Sequence, residues 1–416
     1  MASEGLVFTN HYAGSAVCGP SRASLMTGMH TGNSPVRENP KWTHSGQPVD
    51  ISSADVTVAE ELKRANYNTG IIGKWGLAEN LDEGIPNLQG FDYFYGFNRH
   101  KNAHHYYPEN IWENKNFIPV EGNLTQDKIG TYSQDLFTNK ALSFLDKQTS
   151  EKPFFLYLAY TIPHFELTIP EDEKQQYSNL NWPLRKMKAA HYRHDENGHV
   201  TYAAMVSRLD KDVGKILEKL KTLGFDENTL VIFTSDNGHE YDNLKEEFFN
   251  SNGEFRGKKR DLYDGGIRMP FVARWPNTIK SDTTTDHVSA FWDVFPTLGD
   301  LVETEIPANI DGISFLPTLL NNDENQKEHE YLYWEFHEKG GRQAVRKGNW
   351  KAVKYNVLQQ PNAALELYDL SKDIKEEHNI AKEYPQVVKE MEKIIRGART
   401  PSTVFTFKQE TYLSSK

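Results

Sequence analysis

Residues 17–28 read V-C-G-P-S-R-A-S-L-M-T-G and include Cys18, the only cysteine in the 416-residue chain. A proline stands two residues after Cys18, and a serine and an arginine follow it. A cysteine that acts only as a small buried hydrophobe needs no such neighbours, so the spacing indicates a reactive position. We predict that a helix begins near Ser21, because serine is favoured at helix N-termini. The positive end of that helix would face an anion.

Residues 18–28 resemble the signature C-x-P-S-R-x-x-x-x-T-G of type I sulfatases, which belong to the alkaline-phosphatase superfamily. In that family a separate enzyme oxidises the cysteine to formylglycine, whose hydrate is the nucleophile. The resemblance therefore implies that Cys18 is the precursor of the nucleophile and Arg22 its charge partner. It also implies that a formylglycine-generating enzyme is a partner. A geminal diol suits this role, because one hydroxyl attacks sulfur and the other later loses its proton to expel sulfate.

The composition of the chain argues against several classes of protein. A formal charge of −11 argues against a nucleic-acid binder, which usually carries a basic face. No apolar run has the length of a transmembrane helix, and a single cysteine allows no intramolecular disulfide. No signal peptide is visible in the sequence, whereas the resemblance implies a periplasmic or extracellular location.

Three candidate site elements follow apolar segments of strand length, at residues 68–72, 154–160 and 230–234. The carboxyl ends of parallel strands meet at one edge of a sheet, so side chains that follow them converge. By resemblance, Lys74 binds sulfate and His164 lies near the leaving-group oxygen. The resemblance also implies that Asp236 and Asn237 bind calcium through oxygen, which suits a hard cation. Gly76 stands where the family usually has a histidine, and the group that removes the proton in the last step is therefore open.

A further motif, residues 256–270, resembles R-G-x-K-x-x-x-Y-E-G-G-x-R-x-P of the same family. Its spacing assigns Lys259 as a sulfate-binding lysine and leaves the adjacent Lys258 without that role. With Arg22 and Lys74, Lys259 would make a third cation for a sulfuryl group, whose developing charge fixed cations stabilise. This explains how an acidic protein handles an anionic substrate.

Substrate contacts are expected from two histidine-containing segments. The loop at residues 103–108 carries His104 and His105 beside two tyrosines, and His104 is a candidate to replace the histidine missing at Gly76. Glu335 and His337 are candidates at the rim of the pocket. An ordinary surface loop and an ordinary hairpin are the structural alternatives. By resemblance the substrate is a sulfated carbohydrate, with galactose or N-acetylgalactosamine units favoured.

The predicted fold class is α/β. Residues 1–320 would form a large mixed, mostly parallel sheet sandwiched by helices, and residues 321–416 a small C-terminal α+β subdomain with a short antiparallel sheet. In sulfatases an apolar strand ending in two aspartates, half of the calcium site, precedes the segment that residues 2–12 resemble. We expect that this first strand is missing from the chain by truncation, because an inner strand is costly to lose.

Two alternatives to a sulfatase stay open on the sequence. One is hydrolysis of phosphate or phosphonate esters, since related folds exchange these chemistries; the calcium-type Asp-Asn pair and the cysteine signature favour sulfate. The other is a catalytically impaired protein that binds sulfated glycans, which the missing aspartates and Gly76 would explain.

Overall fold

A computed structural model describes residues 1–39, 49–123, 130–185, 192–193, 195–241 and 248–407. They divide into two compact units, each made of discontinuous stretches of chain. The first unit comprises residues 1–61, 230–239 and 250–416, and the second comprises residues 62–229 and 240–249. The boundary predicted at residue 320 therefore does not coincide with a division between these units. Residues 408–416 of the predicted subdomain lie outside the described residues.

The strands in chain order are β1 (Leu6–Phe8), β2 (His11–Tyr12), β3 (Asn68–Lys74), β4 (Tyr93–Phe97), β5 (Asn110–Glu113), β6 (Asn116–Pro119), β7 (Phe154–Ala159), β8 (Val231–Thr234), β9 (Phe271–Arg274), β10 (Thr283–Thr285), β11 (Ser289–Ala290), β12 (Leu332–Phe336), β13 (Arg342–Lys347), β14 (Trp350–Tyr355) and β15 (Glu366–Asp369). The helices are α1 (Cys18–Thr27), α2 (Val58–Arg64), α3 (Ser133–Leu145), α4 (Gln175–Ser178), α5 (Gly198–Thr222), α6 (Asp264–Ile267), α7 (Val294–Leu301), α8 (Leu316–Leu319) and α9 (Pro385–Gly397).

In the first unit, β1 lies inside a mixed sheet with the order β10-β1-β9-β8. It pairs parallel to β10 and antiparallel to β9. The helix α1 follows the short strand β2 and is buried along its whole length. Tyr12 and Val17, which precede the helix, belong to an apolar cluster that includes Trp292 and Trp334. The segment that carries Cys18 is therefore anchored in the core of this unit.

The C-terminal antiparallel sheet also belongs to the first unit. Its order is β12-β13-β14-β15, so each strand pairs with its neighbour in sequence. Met391 and Ile395 on α9 pack against buried Tyr333 and Val345 of this sheet. The short antiparallel sheet expected in the C-terminal part of the chain is present.

The second unit contains a sheet with the order β6-β5-β4-β3-β7, in which β3 pairs parallel to both β4 and β7. The strands β3 and β4 approach closely at two glycines. A Cβ on Gly96 would lie 1.8 Å from the carbonyl oxygen of Gly73, so this register accepts no side chain there. The parallel pairing brings the ends of β3 and β7 to the same edge of the sheet, as the sequence predicts for Lys74 and for the segment before His164.

The predicted α/β class is confirmed, but burial differs from the prediction at two strands. Most residues of β7 and all residues of β8 are only partly buried, although their apolar sequences predict buried strands. Each strand lies at the end of its sheet in the described residues, so a neighbour covers only one edge. Along α5, Ala204 and Met205 are buried, whereas Val206 is 44% exposed.

Among the described residues, no helix combines the length and the apolar character needed to cross a membrane.

Candidate active site

The N-terminus of α1 is capped from outside the helix. The helix begins at Cys18, so the start predicted near Ser21 is wrong by three residues. Val17 occupies the N-cap position and has no side-chain acceptor; the amide of Gly19 instead donates to Oδ1 of Asn39 at 3.1 Å. This bond satisfies one of the free amides of the first turn. Cys18 is 3% exposed and forms no disulfide, and it lies where the helix dipole is positive.

Arg22 extends from α1 to Asp236, which lies just beyond β8. Its Nε and Nη2 atoms donate to Oδ2 of Asp236 at 3.1 and 2.8 Å. The two side chains are 7% and 22% exposed, so water screens this ion pair less than a surface pair. The signature helix and the S-D-N-G turn, 214 residues apart in sequence, therefore meet within the first unit.

Asn237 presents an unused acceptor beside this ion pair. Its Nδ2 atom donates to the carbonyl oxygen of Gly238 at 2.9 Å, while its Oδ1 atom is buried and has no hydrogen-bond partner in the described structure. A buried acceptor without a donor costs free energy unless water or a cation satisfies it. Carboxylate and amide oxygens are ligands that calcium prefers. The oxygens of Asp236 and Asn237 therefore fit a calcium ion.

Lys259 is held near both elements through its backbone. Its amide donates to the carbonyl oxygen of His239 at 2.9 Å, and the next amide, that of Arg260, donates to Ala16 at 2.9 Å. The side chain of Lys259 is 6% exposed. These two bonds tie the lysine segment to the turn after β8 on one side and to the residues before Cys18 on the other.

Sequence reasoning missed two residues of the first unit, Asn39 and Glu338. The Nδ2 atom of Asn39 donates to Oε1 of Glu338 at 3.2 Å, so the same amide that holds Gly19 also holds this carboxyl group. Burial raises the pKa of Glu338 above its ordinary value, although the charges of Arg260 and Lys259 oppose the shift. No motif marks Asn39. The glycine turn after β12 was the signal for Glu338.

In the second unit, Lys74 ends β3 and is 3% exposed. Gly76 has a φ of +76° and its amide donates to the carbonyl oxygen of Asn98 at 2.9 Å. A Cβ at this position would lie 3.2 Å from Cε of Lys74 and would need a left-handed backbone, which side chains rarely adopt. The backbone conformation thus suits a glycine at the position where the resemblance implies a histidine.

The second unit also brings His104 and His164 together. Their rings stack with centroids 4.7 Å apart and planes 16° apart. The hydroxyl of Tyr192 lies 3.3 Å from Nδ1 of His104. Nε2 of His164 lies 3.7 Å from Oε2 of Glu240, and its Nδ1 faces the carbonyl oxygen of Phe165. Glu240 was also missed, although it directly follows the S-D-N-G-H run.

His105 has its own carboxylate partner in the second unit. Its Nδ1 atom lies 2.7 Å from Oε2 of Glu166, whose side chain is fully buried, while His105 is 34% exposed. The Nε atom of Arg193 lies 3.7 Å from the other oxygen of Glu166. A half-exposed imidazole oriented by a buried carboxylate is suited to contact a polar ligand.

Glu335 and His337 lie in a different environment from the one predicted. Glu335 is fully buried and accepts hydrogen bonds from Arg37 at 3.1 Å and from Arg399 at 2.6 and 3.0 Å. His337 is 1% exposed, lies 2.9 Å from Glu335 and stacks on Phe407 with centroids 4.3 Å apart. Burial alone would raise the pKa of Glu335, but His337 and the two arginines hold it well below its ordinary value. The geometry favours a structural role for both side chains, and their contact with substrate stays a prediction.

The predicted site residues therefore fall into two groups. The first unit brings Cys18, Arg22, Asp236, Asn237 and the backbone of Lys259 into one connected set. The second unit holds Lys74 and a cluster of His104, His105 and His164. Such cations, oxygen ligands and imidazoles can stabilise a transferring anionic group, bind a hard metal and transfer a proton.

Comparisons with known proteins agree with this chemistry. The Sulfatase family matches residues 1–304, and the family described as N-sulphoglucosamine sulphohydrolase, C-terminal, matches residues 253–400. An N-acetylgalactosamine-6-O-sulfatase of Bacteroides thetaiotaomicron is 29% identical, over 96% of this chain and 87% of the relative. The mouse N-acetylgalactosamine-6-sulfatase is 31% identical, over 77% of this chain and 60% of the relative.

A solved structure shows the same architecture. The crystal structure of Ps i-CgsB in complex with k-i-k-neocarrahexaose aligns with a TM-score of 0.78 and 26% identity, over 98% of this chain and 88% of that one. The family match covers well over half of the chain, and it includes both the cysteine signature and the S-D-N-G turn. The resemblance first read from residues 18–28 is confirmed, and the chain belongs to the sulfatase family of sulfuric ester hydrolases.

Proposed function

We propose that the protein removes sulfate from sulfated sugars, with a nucleophile derived from Cys18. The observation that carries the proposal is the contact between Arg22 and Asp236, which joins the cysteine helix to the oxygen ligands of the S-D-N-G turn. Few structural roles require a lone cysteine, an ion pair and an unsatisfied buried amide oxygen in one place. A sulfatase uses a cysteine-derived nucleophile, cationic side chains and oxygen ligands for a metal together.

The cationic side chains have the task of neutralising the sulfate group. The side chain of Arg22 is oriented by Asp236, and the backbone of Lys259 is anchored to its neighbours, which reduces the reorganisation needed when charge develops on the sulfuryl oxygens. We assign the same task to Lys74, which is buried at the end of β3. Preorganised charges in a site shielded from water are the largest single contribution in many enzymes.

Asp236 and Asn237 are the residues of this chain that would hold calcium. When bound, the ion would lower the pKa of the attacking hydroxyl and polarise a sulfate oxygen. Asn237 supplies an amide oxygen that no donor in the described residues occupies, and Asp236 supplies a partly exposed carboxylate. Calcium takes six to eight oxygen ligands, so further ligands complete the shell.

Cys18 fits the role of a residue that a maturing enzyme converts to formylglycine. It is unpaired and stands at the first residue of a helix, where amide groups favour a negatively charged transition state. As formylglycine hydrate it would supply two hydroxyls, one to attack and one to expel sulfate. A formylglycine-generating enzyme is then a required partner. A periplasmic or extracellular location, where sulfated glycans are met, is part of the proposal.

His164 is assigned to protonate the leaving oxygen, and His104 and His105 to contact the sugar. The stacked pair and the half-exposed His105 lie in one loop cluster of the second unit, which supports a shared role. Galactose and N-acetylgalactosamine are the sugars we favour, because the relative from Bacteroides thetaiotaomicron is named for the latter. The names of the two relatives place the 6-sulfate first among the positions to test.

The proposal is tested by producing the chain with a formylglycine-generating enzyme. Mass spectrometry should show the thiol-to-aldehyde change at Cys18. Sulfate release is then measured on galactose and N-acetylgalactosamine carrying one sulfate at the 4- or 6-position, and on nitrophenyl sulfate and nitrophenyl phosphate. Preferred turnover of one sulfated sugar supports the proposal. Faster phosphate release would make the protein a phosphate ester hydrolase, and tight sugar binding without sulfate release would make it a glycan binder.

A further inference from the structure

The loop that carries His164 is fixed through its backbone. The hydroxyl of Tyr106 donates to the carbonyl oxygens of His164 and Thr161, at 2.5 and 3.2 Å. The amide of His164 donates to Thr161 at 3.1 Å. Tyr106 is fully buried, so this anchor belongs to the core of the second unit. The backbone from which the His164 ring extends is therefore anchored within this unit.

Both nitrogens of that ring face oxygen atoms. Nδ1 faces the carbonyl oxygen of Phe165, and Nε2 lies 3.7 Å from Oε2 of Glu240. A neutral imidazole carries one N–H and one acceptor, whereas the imidazolium carries two N–H groups. An arrangement with an acceptor at each nitrogen favours the protonated ring. The side chains of His164 and Glu240 are only 16% and 13% exposed, so solvent screens their interaction weakly.

The separation of this pair matters as much as its charge. At 3.7 Å the Nε2–H group and the carboxylate form an ion pair but not a close hydrogen bond. The proton is therefore stabilised without being bound to Glu240, and it can be donated to another oxygen. The ring also faces His104, stacked at 4.7 Å, and Tyr192, whose ring centroid is 6.2 Å away. A second imidazolium at His104 would oppose protonation of His164, so Glu240 is needed to offset it.

We propose that Glu240 is a positioning residue that keeps His164 protonated and oriented as the acid of the reaction. The inference rests on the proposed function, because it takes His164 as the proton donor. In that step the proton moves from His164 to the ester oxygen of the sugar as the bond from that oxygen to sulfur breaks. The sugar then leaves as a neutral alcohol and the imidazole becomes neutral. Glu240 keeps its charge throughout and does not touch the substrate.

The direct test is a histidine NMR titration of the Cys18→Ala chain, which does not turn over. The Cε1–H signal of His164 is assigned by its loss in His164→Asn. We expect Glu240→Gln to lower the titration midpoint of His164 by about one pH unit, the effect of losing a nearby opposite charge. Glu113→Gln removes a carboxylate paired with Lys140 elsewhere in the same unit and should leave the midpoint unchanged. An unchanged midpoint in Glu240→Gln would overturn the inference.

A kinetic test uses the leaving group. A sugar alcohol is a poor leaving group and needs a proton, whereas nitrophenolate leaves without one. Glu240→Gln should lower kcat on a sulfated sugar by about 100-fold, the scale of general acid catalysis, and should leave kcat on nitrophenyl sulfate nearly unchanged. Glu240→Asp, which restores the charge, should recover part of the loss and covers the case that the glutamine variant folds poorly. Equal losses on both esters, with no recovery by aspartate, would mean a structural role.

The proposed function and the role of Glu240 can be disproved separately. If the wild-type chain released sulfate from no ester, the proposed function would be wrong, while the NMR midpoint would still report whether Glu240 holds the charge on His164. If the wild-type chain were active and the midpoint and leaving-group dependence did not change, only the role of Glu240 would be wrong.

Discussion

Asp236 and Glu335 are carboxylates of the same unit, and arginine side chains donate hydrogen bonds to both, yet their surroundings differ. Asp236 is 22% exposed and accepts from Arg22 through one of its oxygens. Glu335 is fully buried, and both of its oxygens accept from a set of side chains that includes Arg37, Arg399 and Tyr333. The first carboxylate is partly exposed, whereas the second is enclosed by its donors.

The residues next to the two carboxylates differ in the same way. Beside Asp236 stands Asn237, with a buried oxygen that lacks a donor among the described residues. Beside Glu335 stands His337, whose buried ring stacks on the ring of Phe407. Saturated buried networks rigidify a fold, and unsatisfied groups mark positions where a ligand belongs. The comparison therefore separates a candidate site from a scaffold, and the predictions below test it.

The largest effect is expected at Cys18. Cys18→Ala should lower the rate of sulfate ester hydrolysis by at least about four orders of magnitude, equivalent to about 5.5 kcal/mol, because the nucleophile is lost. Truncation of one sulfur atom should change the free energy of unfolding by only about 1 kcal/mol. Steady-state kinetics and urea unfolding measure the two quantities. Full turnover by the alanine variant would remove Cys18 from the mechanism.

A matched pair of substitutions compares the two carboxylates directly. Glu335→Gln should lower the free energy of unfolding by about 3–5 kcal/mol, because it leaves Arg37 and Arg399 buried without compensation. Asp236→Asn breaks a partly exposed pair and should cost about 1 kcal/mol or less. Activity should show the reverse order, with a loss of at least about 100-fold for Asp236→Asn only.

Urea unfolding measures the stability of Glu335→Gln and Asp236→Asn, and sulfate release from the same preparations measures their activity. Glu335→Gln protein that is fully stable and has lost affinity for sulfated sugars would restore Glu335 as a substrate-binding residue.

Calcium should stabilise the chain through Asp236 and Asn237. At a free calcium concentration of about 100 times Kd, the free energy of unfolding should rise by about 2.7 kcal/mol, and a chelator should reverse the change. Asn237→Ala should abolish most of this stabilisation, while Asn356→Ala, at a loop in the same unit, should not. Thermal unfolding with and without calcium measures the effect. Calcium-independent stability in a fully active enzyme would contradict the assignment of the metal ligands.

The smallest effect is expected on the stability of the protein at acidic pH. The pKa of Glu335 lies well below its ordinary value of 4.5 because His337 and the arginines outweigh the effect of burial. The unfolded chain therefore takes up a proton at higher pH than the folded chain does, and the stability from this group is present above about pH 4.5 and lost as the pH falls toward the folded value. Wild-type stability should fall more steeply below pH 4.5 than that of Glu335→Gln. Parallel acid profiles would contradict this origin of the shift.

The local elements of the fold were predictable to different degrees. Sequence patterning located β3 and the short antiparallel sheet of β12–β15, because short apolar patterns and turn residues act over a few positions. It missed the start of α1, because the cap of that helix comes from Asn39, which is distant in sequence and carries no motif. It also overestimated burial of β7 and β8, since an apolar run cannot reveal whether a strand lies inside a sheet or at its end.

The candidate site shows the same division. By itself the sequence determined the family, through the spacing around Cys18, and the residues that carry charge and metal-ligating oxygen, because these depend on residue type and short spacing. Only the tertiary structure decided which carboxylate is fully buried among arginines and which is partly exposed at the turn after β8. It joined Arg22 to Asp236, enclosed Glu335 between two arginines, and set Glu240 beside His164. These contacts depend on how distant segments pack, and no local pattern records that packing.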